Sequence, residues 1–187
     1  ERRLRGPVPK SSDRNLPGQS VKSVTRRAKY ILNNTGQGSA ILHLGMSGSV
    51  CIVNAGAPAG VHDHFDIEFD SGMVLRFRDP RRFGSLHWSQ EPLSHRLLKG
   101  LGPEPLSSDF DGHYLWQRSR GRKVSIKQFI MNAHIVVGVG NIYASEALFM
   151  AGIDPRRAAG RIAGSLCERL AAAVKVVLGE AVEAGGT

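Results

Sequence analysis

The sequence predicts an α+β fold in which an antiparallel β-sandwich precedes a helical domain. Short apolar segments with two-residue alternation fill the first half of the chain, separated by turns rich in Gly, Pro and Asn. After Gly100 the apolar residues recur at helical spacing. Because Pro92 and Pro103 lie between these two patterns, we place two domains at residues 1–95 and 96–187.

The β-domain follows a polar stretch, residues 1 to about 20, which contains three prolines, lacks periodicity and is expected to be loop. Asp70-Ser71-Gly72 joins two alternating runs as a hairpin turn would. The predicted strands are AILHL (40–44), SVCIV (49–53), HFDIEF (64–69), MVLRFR (73–78) and SLHW (85–88). Their alternation favours a half-buried antiparallel sheet or sandwich.

Two positions of the β-domain suggest contact with nucleic acid. Lys29 lies among Arg26 and Arg27 at the start of a predicted strand, as either a solvated lysine or one directed at a phosphate. Met46 lies between two glycines at a predicted hairpin tip. An exposed methionine in a basic protein suggests a wedge between stacked bases, with ordinary packing as the alternative.

The segment RFRDPRRFGSLHW, residues 76–88, combines four arginines with an Asp-Pro turn. We expect Arg81 and Phe83 to project from one loop, where a ring and a guanidinium group could fill a vacancy in a duplex. His62 and His64 are spaced to share a strand face, but no third metal ligand accompanies them. Phosphate contact or packing is therefore favoured over metal binding.

Capping signals define the helical domain. Ser125 and Gln128 have the spacing of a capping box, and Ser165 with Glu168 repeats it before the last helix. Gly185-Gly186 should end that helix.

A glycine loop, Gly138-Val139-Gly140, leads into a helix that should begin at Asn141 and stop at Gly152. Loops of this kind expose successive backbone N–H groups at the positive end of the helix dipole. The alternatives at this position are a phosphate site and a plain turn.

The charge distribution points to a polyanionic partner. The formal net charge is +9, and no acidic residue occurs between Asp111 and Glu146. Nucleic acid is favoured over a membrane surface because no strongly amphipathic basic helix accompanies the charge, and a well-solvated basic surface is the alternative. The basic residues in this window are Arg118, Arg120, Arg122, Lys123 and Lys127.

The cysteine pattern indicates neither a disulfide framework nor a zinc site. The two cysteines, Cys51 and Cys167, are far apart in apolar segments and are expected to be buried, reduced thiols of an intracellular protein. Zinc-ligand spacing is absent from the sequence, so we expect no metal and no cofactor in this chain.

Five segments, in this order and spacing, resemble the formamidopyrimidine-DNA glycosylase family: HLGMSG, HDHFDIEF, DPRRFG, LGPEPL and VVGVGNIYASEALF. The resemblance implies a helix-two-turn-helix domain after the sandwich. It also implies a bacterial, cytoplasmic, monomeric enzyme of base excision repair. Such an enzyme removes oxidised purines (formamidopyrimidine, 8-oxoguanine) from double-stranded DNA and cleaves the abasic strand as a lyase.

The resemblance assigns a role to each matching residue. Lys29 matches the lysine of β-elimination, and Glu146 matches a glutamate of the lesion pocket on the helix that also carries Tyr143. The void-filling wedge corresponds to Met46, Arg81 and Phe83. The expected DNA-contacting residues are His62, Arg81, Lys123, Lys127, Asn141 and Tyr143.

Two features of the family have no match in residues 1–187. The family nucleophile is an N-terminal proline followed by a glutamate, whereas Glu1 is followed by two arginines here. The family also continues into a four-cysteine zinc finger that holds one zinc ion. We therefore expect a truncated chain that is inactive alone, with a non-catalytic damaged-DNA-binding paralogue as the alternative. The related endonuclease VIII-like enzymes rank third.

Overall fold

The computed structural model describes Leu4, Val8 and residues 10–185. The chain divides into two compact units, Glu1–Lys99 and Gly100–Thr187. The first unit is built on two antiparallel sheets and the second on α-helices, so the predicted α+β fold class is confirmed.

Within its described residues, the first unit has seven strands in two sheets. The four-stranded sheet has the order β1-β2-β3-β7 and the three-stranded sheet has the order β4-β6-β5, with every neighbouring pair antiparallel. The strands are β1 Ser23–Arg27, β2 Tyr30–Asn34, β3 Ser39–His43, β4 Ser49–Asn54, β5 Asp63–Glu68, β6 Met73–Arg78 and β7 Ser85–Ser89.

The two sheets enclose a shared apolar core, as a sandwich requires. Leu42 and Leu86 enter the core from the four-stranded sheet, and Phe77 enters it from the three-stranded sheet. The ring of Phe65 stacks on that of Phe77 with centroids 5.0 Å apart. These contacts bury large apolar surfaces from both sheets, which is the main stabilising contribution in a unit of this size.

Two loops cross from one sheet to the other, and we call residues 44–48 and 79–84 the crossing loops. The first joins β3 to β4 and the second joins β6 to β7. Since β3 and β4 belong to different sheets, the prediction that Met46 lies at a hairpin tip was wrong. By contrast, the Asp70–Gly72 hairpin between β5 and β6 is confirmed.

The strand register places both crossing loops at one end of the sandwich. In the first sheet Tyr30 pairs with His43, which pairs with Ser85. In the second sheet Arg78 pairs with both Ser49 and Asp63. The β1–β2 turn, both crossing loops and the start of β5 therefore share one end, which we call the crossing end.

Three details of the first unit differ from the sequence-based expectations. A short helix, α1 Lys10–Asn15, occupies part of the stretch expected to be loop. The β1–β2 hairpin was not predicted, although a strand was expected to start at Lys29. Cys51 is exposed on β4, an edge strand of its sheet, whereas Cys167 is buried as expected.

Over residues 100–185 the second unit has four α-helices around one core. Ser125 accepts a hydrogen bond from the Gln128 N–H, which confirms the helix start predicted at Ser125. The second box was wrong, because the last helix begins at Gly164 without a side-chain cap. That helix ends before Gly185, whose φ of +80° suits glycine, while Gly186 lies outside the described residues. The helices are α2 Gly112–Ser119, α3 Ile126–Ile130, α4 Asn141–Met150 and α5 Gly164–Glu183.

No helix within the described part of the chain combines the length and the apolar character that crossing a bilayer requires.

Candidate nucleic-acid interface

The crossing end brings together five residues that the sequence analysis singled out. Lys29 lies in the β1–β2 turn, and Met46 lies in the first crossing loop. His62 immediately precedes β5, while Arg81 and Phe83 lie in the second crossing loop. Residues separated by as many as 54 positions along the chain therefore share one end of the sandwich.

The wedge residues are presented to solvent as a mixed apolar and cationic surface. Met46 is 68% exposed and Phe83 is 37% exposed. The Arg81 guanidinium carbon lies 5.4 Å from the centroid of the Phe83 ring, so the expected proximity of ring and cation is present. An exposed apolar side chain beside a cation–π pair can enter a stack of bases and still donate hydrogen bonds there.

The crossing loops touch through their backbones. Gly45 has a φ of +72°, and a Cβ at this position would lie 2.7 Å from the carbonyl carbon of Phe83. Only glycine permits both the left-handed conformation and this close approach. The distance between the Met46 and Phe83 backbones is thereby fixed by packing.

A buried carboxylate ties the same two loops together. Asp79 is fully buried, and its Oδ1 accepts a hydrogen bond of 2.6 Å from the Ser47 hydroxyl. The Arg81 N–H donates to both Asp79 Oδ1 and Ser47 Oγ, each at 3.2 Å. The Gly84 N–H donates to Asp79 Oδ2 at 2.7 Å. One carboxylate therefore accepts hydrogen bonds from both crossing loops.

Sequence reasoning did not assign a role to Ser47 or Asp79. Burial by itself would raise the pKa of Asp79, but the hydrogen bonds from Ser47, Gly84 and Arg81 outweigh it and lower the pKa below its ordinary value. The available signal was the Asp-Pro pair, because aspartate before a turn commonly accepts backbone N–H bonds.

The positive charge of Lys29 acts on His43 at the crossing end. The ring of His43 lies 4.9 Å from that of Tyr30, and its Nδ1 accepts the Gly45 N–H at 3.2 Å. Burial and the positive charge of Lys29 lower the pKa of His43. The lowered pKa favours the neutral form of the imidazole, in which Nδ1 can accept the Gly45 N–H.

His62 is held through its backbone. The Asp79 N–H donates to the His62 carbonyl at 2.9 Å, and the His62 side chain is half-buried. His64, by contrast, is buried with its Nε2 2.7 Å from the Asp79 carbonyl oxygen. The two histidines therefore occupy different environments, and His64 serves packing.

Arg76 fixes the loop that precedes His62. Its guanidinium donates to the carbonyls of Ala57 and Pro58 at 2.9 Å each and forms a 2.8 Å ion pair with Asp66. Arg76 is 7% exposed, so it belongs to the frame of the sandwich and is not one of the solvent-exposed arginines.

The basic residues of the second unit differ in whether their side chains bond to the protein itself. The Arg120 guanidinium donates to the carbonyls of Gly160 at 2.9 Å and Ile162 at 2.7 Å. Lys123 is exposed and Lys127 is half-buried in α3. Arg120 is also exposed, but its guanidinium is engaged with the fold, whereas the exposed Lys123 can reach a phosphate.

The start of α4 has the features of an anion site. Gly140 is its N-cap and provides no side-chain hydrogen bond, and Gly138 has a φ of +83°. The Ala144 N–H makes the bond to the Gly140 carbonyl at 2.9 Å, so the N–H groups of the exposed Asn141 and Ile142 precede the helical ladder. Such groups favour a phosphate.

Tyr143 and Glu146 lie on the same helix in different surroundings. Tyr143 is half-buried against the core of the second unit. Glu146 is exposed on the face that also presents Ile142 and Phe149, of which Phe149 is 89% exposed. A carboxylate beside exposed apolar side chains can accept hydrogen bonds from a ligand that stacks there.

The zinc ion that the resemblance implies does not fit the described residues. Within them, His, Cys, Asp and Glu form no cluster of three or more suited to a metal ion. The two cysteines belong to different compact units, Cys51 to the first and Cys167 to the second.

Comparison with known families gives matches over both units. Residues 1–86 match the formamidopyrimidine-DNA glycosylase N-terminal domain, and residues 101–187 match the formamidopyrimidine-DNA glycosylase H2TH domain.

Curated relatives carry the same name. The chain is 58% identical over 188 residues to the formamidopyrimidine-DNA glycosylase of Nitrosococcus oceani, and 56% identical over 187 residues to that of Pseudomonas putida F1. Each match covers 100% of this chain and 69% of the relative.

Solved structures with the same fold contain DNA. Lactococcus lactis formamidopyrimidine-DNA glycosylase bound non-covalently to DNA with an AP site matches with a TM-score of 0.85 and 30% identity, over 93% of this chain and 68% of that one. MutM in complex with DNA containing carbocyclic 8-oxoG matches with a TM-score of 0.87 and 30% identity, over 95% and 67%.

Proposed function

Because the chain belongs to the formamidopyrimidine-DNA glycosylase family, we propose that it recognises damaged duplex DNA in base excision repair. The observation that carries the proposal is the crossing end, where Met46 and the Arg81–Phe83 pair stand exposed on two loops locked together. An apolar side chain and a stacked cation are suited to the space that a flipped-out nucleotide leaves in a duplex.

Each wedge residue has a chemical task in this proposal. Met46 and Phe83 enter between base pairs and replace the lost stacking contacts. Arg81 donates hydrogen bonds to the base that has lost its partner. These interactions form only where a nucleotide is missing or extruded, so they favour abasic and damaged DNA over intact DNA.

Phosphate contacts supply the remaining affinity. In this proposal, Lys29 and His62 contact phosphates beside the wedge. In the second unit, Lys123, Lys127 and Asn141 provide the phosphate contacts. Lysine contacts and the start of α4 bind phosphate without reading sequence, so their contribution should fall steeply with salt. Tyr143 holds α4 in place through its packing.

The reaction that we propose for the family member is removal of oxidised purines followed by strand cleavage. Lys29 would assist β-elimination, and Glu146 would line the lesion pocket. Cleavage as a lyase requires an amine that attacks the sugar C1′ and forms a Schiff base. The proline that resemblance assigns to this task has no match in residues 1–187, so we expect residues 1–187 alone to bind damaged DNA without reacting.

Duplex binding tests the proposal. Affinity for a duplex with a tetrahydrofuran abasic analogue is compared with affinity for the undamaged duplex at two salt concentrations. A preference for the abasic duplex that persists at the higher salt supports recognition by the wedge. Equal, salt-sensitive binding of both duplexes would refute it and leave only the basic charge as the source of affinity.

Borohydride trapping separates enzyme from binding protein. We expect residues 1–187 to give no covalent complex with an 8-oxoguanine duplex, whereas a longer polypeptide that carries the Pro-Glu terminus should give one. A trapped complex with residues 1–187 would show that another amine serves as nucleophile. Failure of the longer polypeptide would favour the non-catalytic paralogue.

Two further properties follow from the family as proposals. A protein that acts on chromosomal DNA in bacteria resides in the cytoplasm. A monomer suffices, because one chain carries all the residues proposed to contact DNA. Sedimentation of the free protein tests the second point.

A further inference from the structure

The crossing loops are joined by more than proximity. Gly45 of the first loop touches the Phe83 and Gly84 backbone of the second, and a Cβ at Gly45 would lie 2.8 Å from the Gly84 nitrogen. Ser47 and Asp79 add directed hydrogen bonds to this contact.

Asp79 is placed to organise the whole end. Its carboxylate accepts from Ser47, Arg81 and Gly84, while its N–H donates to the His62 carbonyl at 2.9 Å. Its own carbonyl oxygen lies 2.7 Å from His64 Nε2 and accepts the Arg82 N–H at 3.2 Å. The carboxylate, the N–H and the carbonyl of Asp79 are therefore all engaged in hydrogen bonds within the crossing end.

Burial makes these bonds geometrically strict. Asp79 and the Gly84 backbone are shielded from solvent. A buried carboxylate requires its hydrogen-bond donors to stay in position, because losing one leaves charge desolvated without compensation. The loop that carries Arg81 and Phe83 therefore has little freedom to move relative to the loop that carries Met46.

We propose that Asp79 and Ser47 are the positioning residues of the wedge, which hold Met46, Arg81 and Phe83 as one preformed unit before DNA is bound. Preorganisation of this kind avoids the entropic cost of ordering two loops during binding. It thereby raises selectivity for abasic DNA without either residue touching a base. The inference rests on the proposed function, since it assigns the source of that selectivity.

Hydrogen exchange of the free protein tests the positioning role directly. In Ser47→Ala the amide N–H of Arg81 loses one acceptor, and exchange at Arg81 and Gly84 should accelerate about fivefold. Thr35→Val is the matched control. It removes the hydroxyl that donates to the Gly38 carbonyl at 2.9 Å in the β2–β3 turn, at the opposite end of β3. In Thr35→Val, the amide exchange rates of Arg81 and Gly84 should equal those of the wild type.

Binding then tests the consequence for selectivity. Ser47→Ala and Asp79→Asn should lower the ratio of abasic to undamaged affinity about fivefold, with the undamaged affinity and its salt slope unchanged. Ser47→Thr retains the hydroxyl and should restore the ratio. A variant that is merely less stable would lose affinity for both duplexes together.

The outcomes separate this inference from the proposed function. If the wild-type chain shows no preference for abasic DNA, the proposed function fails, and the exchange rates still decide whether Asp79 and Ser47 order the loops. Unchanged exchange at Arg81 and Gly84 in Ser47→Ala would overturn the positioning role. Faster exchange with an intact affinity ratio would overturn the link between loop order and selectivity.

Discussion

The Arg81 guanidinium lies over the Phe83 ring, 5.4 Å from its centroid, on a loop where the intervening Arg82 has a φ of +62°. The left-handed conformation of Arg82 turns the chain so that residues 81 and 83 approach each other. A cation held against an aromatic face in this way is partly desolvated and ready to stack. The Arg81–Phe83 pair therefore gives the crossing end both an aromatic surface and a hydrogen-bond donor that can face a DNA duplex.

Met46→Ala should reduce binding of abasic DNA and leave binding of undamaged DNA unchanged. The side chain that would fill the gap is lost, at a cost of about 1 kcal/mol or roughly a fivefold loss in affinity. Leu93→Ala is the matched control, because Leu93 is also 68% exposed. It lies in the 3-10 helix Pro92–Ser94, beyond the end of β7 that points away from the crossing loops. Equal losses in the two variants would contradict the wedge role.

Lys123→Ala should lower affinity for every duplex by the same factor. Removing one phosphate contact reduces the slope of log affinity against log salt by about 0.9. Lys22→Ala carries the same charge change beside the start of β1, at the end of the sandwich opposite the crossing end. A salt slope that falls equally in both variants would indicate that net charge alone matters.

Gly45→Ala should destabilise the first unit more than Gly72→Ala does. Both glycines have positive φ values, +72° and +78°, so each alanine carries a similar backbone penalty of about 1 kcal/mol. Only Gly45 faces another backbone, whereas nothing lies within 4 Å of a Cβ at Gly72. The difference between the two unfolding free energies measures the contact between the loops, and a difference of zero would mean that this contact is readily relieved.

Acidification from pH 7.5 to 5.5 should destabilise the first unit in part through His43. Its folded-state pKa lies below the ordinary value of 6.5, so the unfolded chain takes up protons first as the pH falls. The contribution of His43 to the free energy of unfolding is therefore fully present above about pH 6.5. It is lost as the pH falls from there to the lower folded-state pKa. His43→Asn keeps an acceptor near the Nδ1 position without titrating, and its thermal midpoint should fall less over this range. An identical fall would exclude His43 as a source.

Arg120→Ala should destabilise the second unit by about 2 kcal/mol, because the carbonyls of Trp116, Gly160 and Ile162 lose a charged donor. The guanidinium also lies 5.0 Å from the Trp116 ring centroid, and this contact is lost as well. Arg118→Ala, an exposed neighbour in α2, removes the same charge and should change stability little. Comparable destabilisation by both would argue against the hydrogen bonds as the cause.

Local signals predicted the elements well and their connections less well. The strand from Met73 to Arg78 and the helix that begins at Asn141 were found from alternation and from the glycine loop. The Met46 loop was assigned to a hairpin because a turn between two strands looks the same whether or not those strands pair with each other. Pairing of β3 with β7 depends on residues more than forty positions apart.

The sequence singled out exposed residues of the crossing end and missed the residues that support them. Met46 and Phe83 were singled out because large apolar residues in polar turns are unusual. Ser47 and Asp79 are ordinary turn residues in sequence, and only burial and hydrogen bonding reveal their roles. Arg120 and Lys123 look alike in a basic run and both are exposed, but only Arg120 donates hydrogen bonds to the carbonyls of Gly160 and Ile162.

The segregation of Met46, Arg81 and Phe83 at one end of the sandwich leaves the other end available for attachment. Gln37 is exposed in the β2–β3 turn, and the adjacent Gly36 has open space where a Cβ would lie. A fluorophore or surface tether at residue 37 would stand a strand's length from the wedge. Immobilised molecules would then present the same end to passing DNA, so that individual encounters with damaged and intact duplexes could be timed one by one.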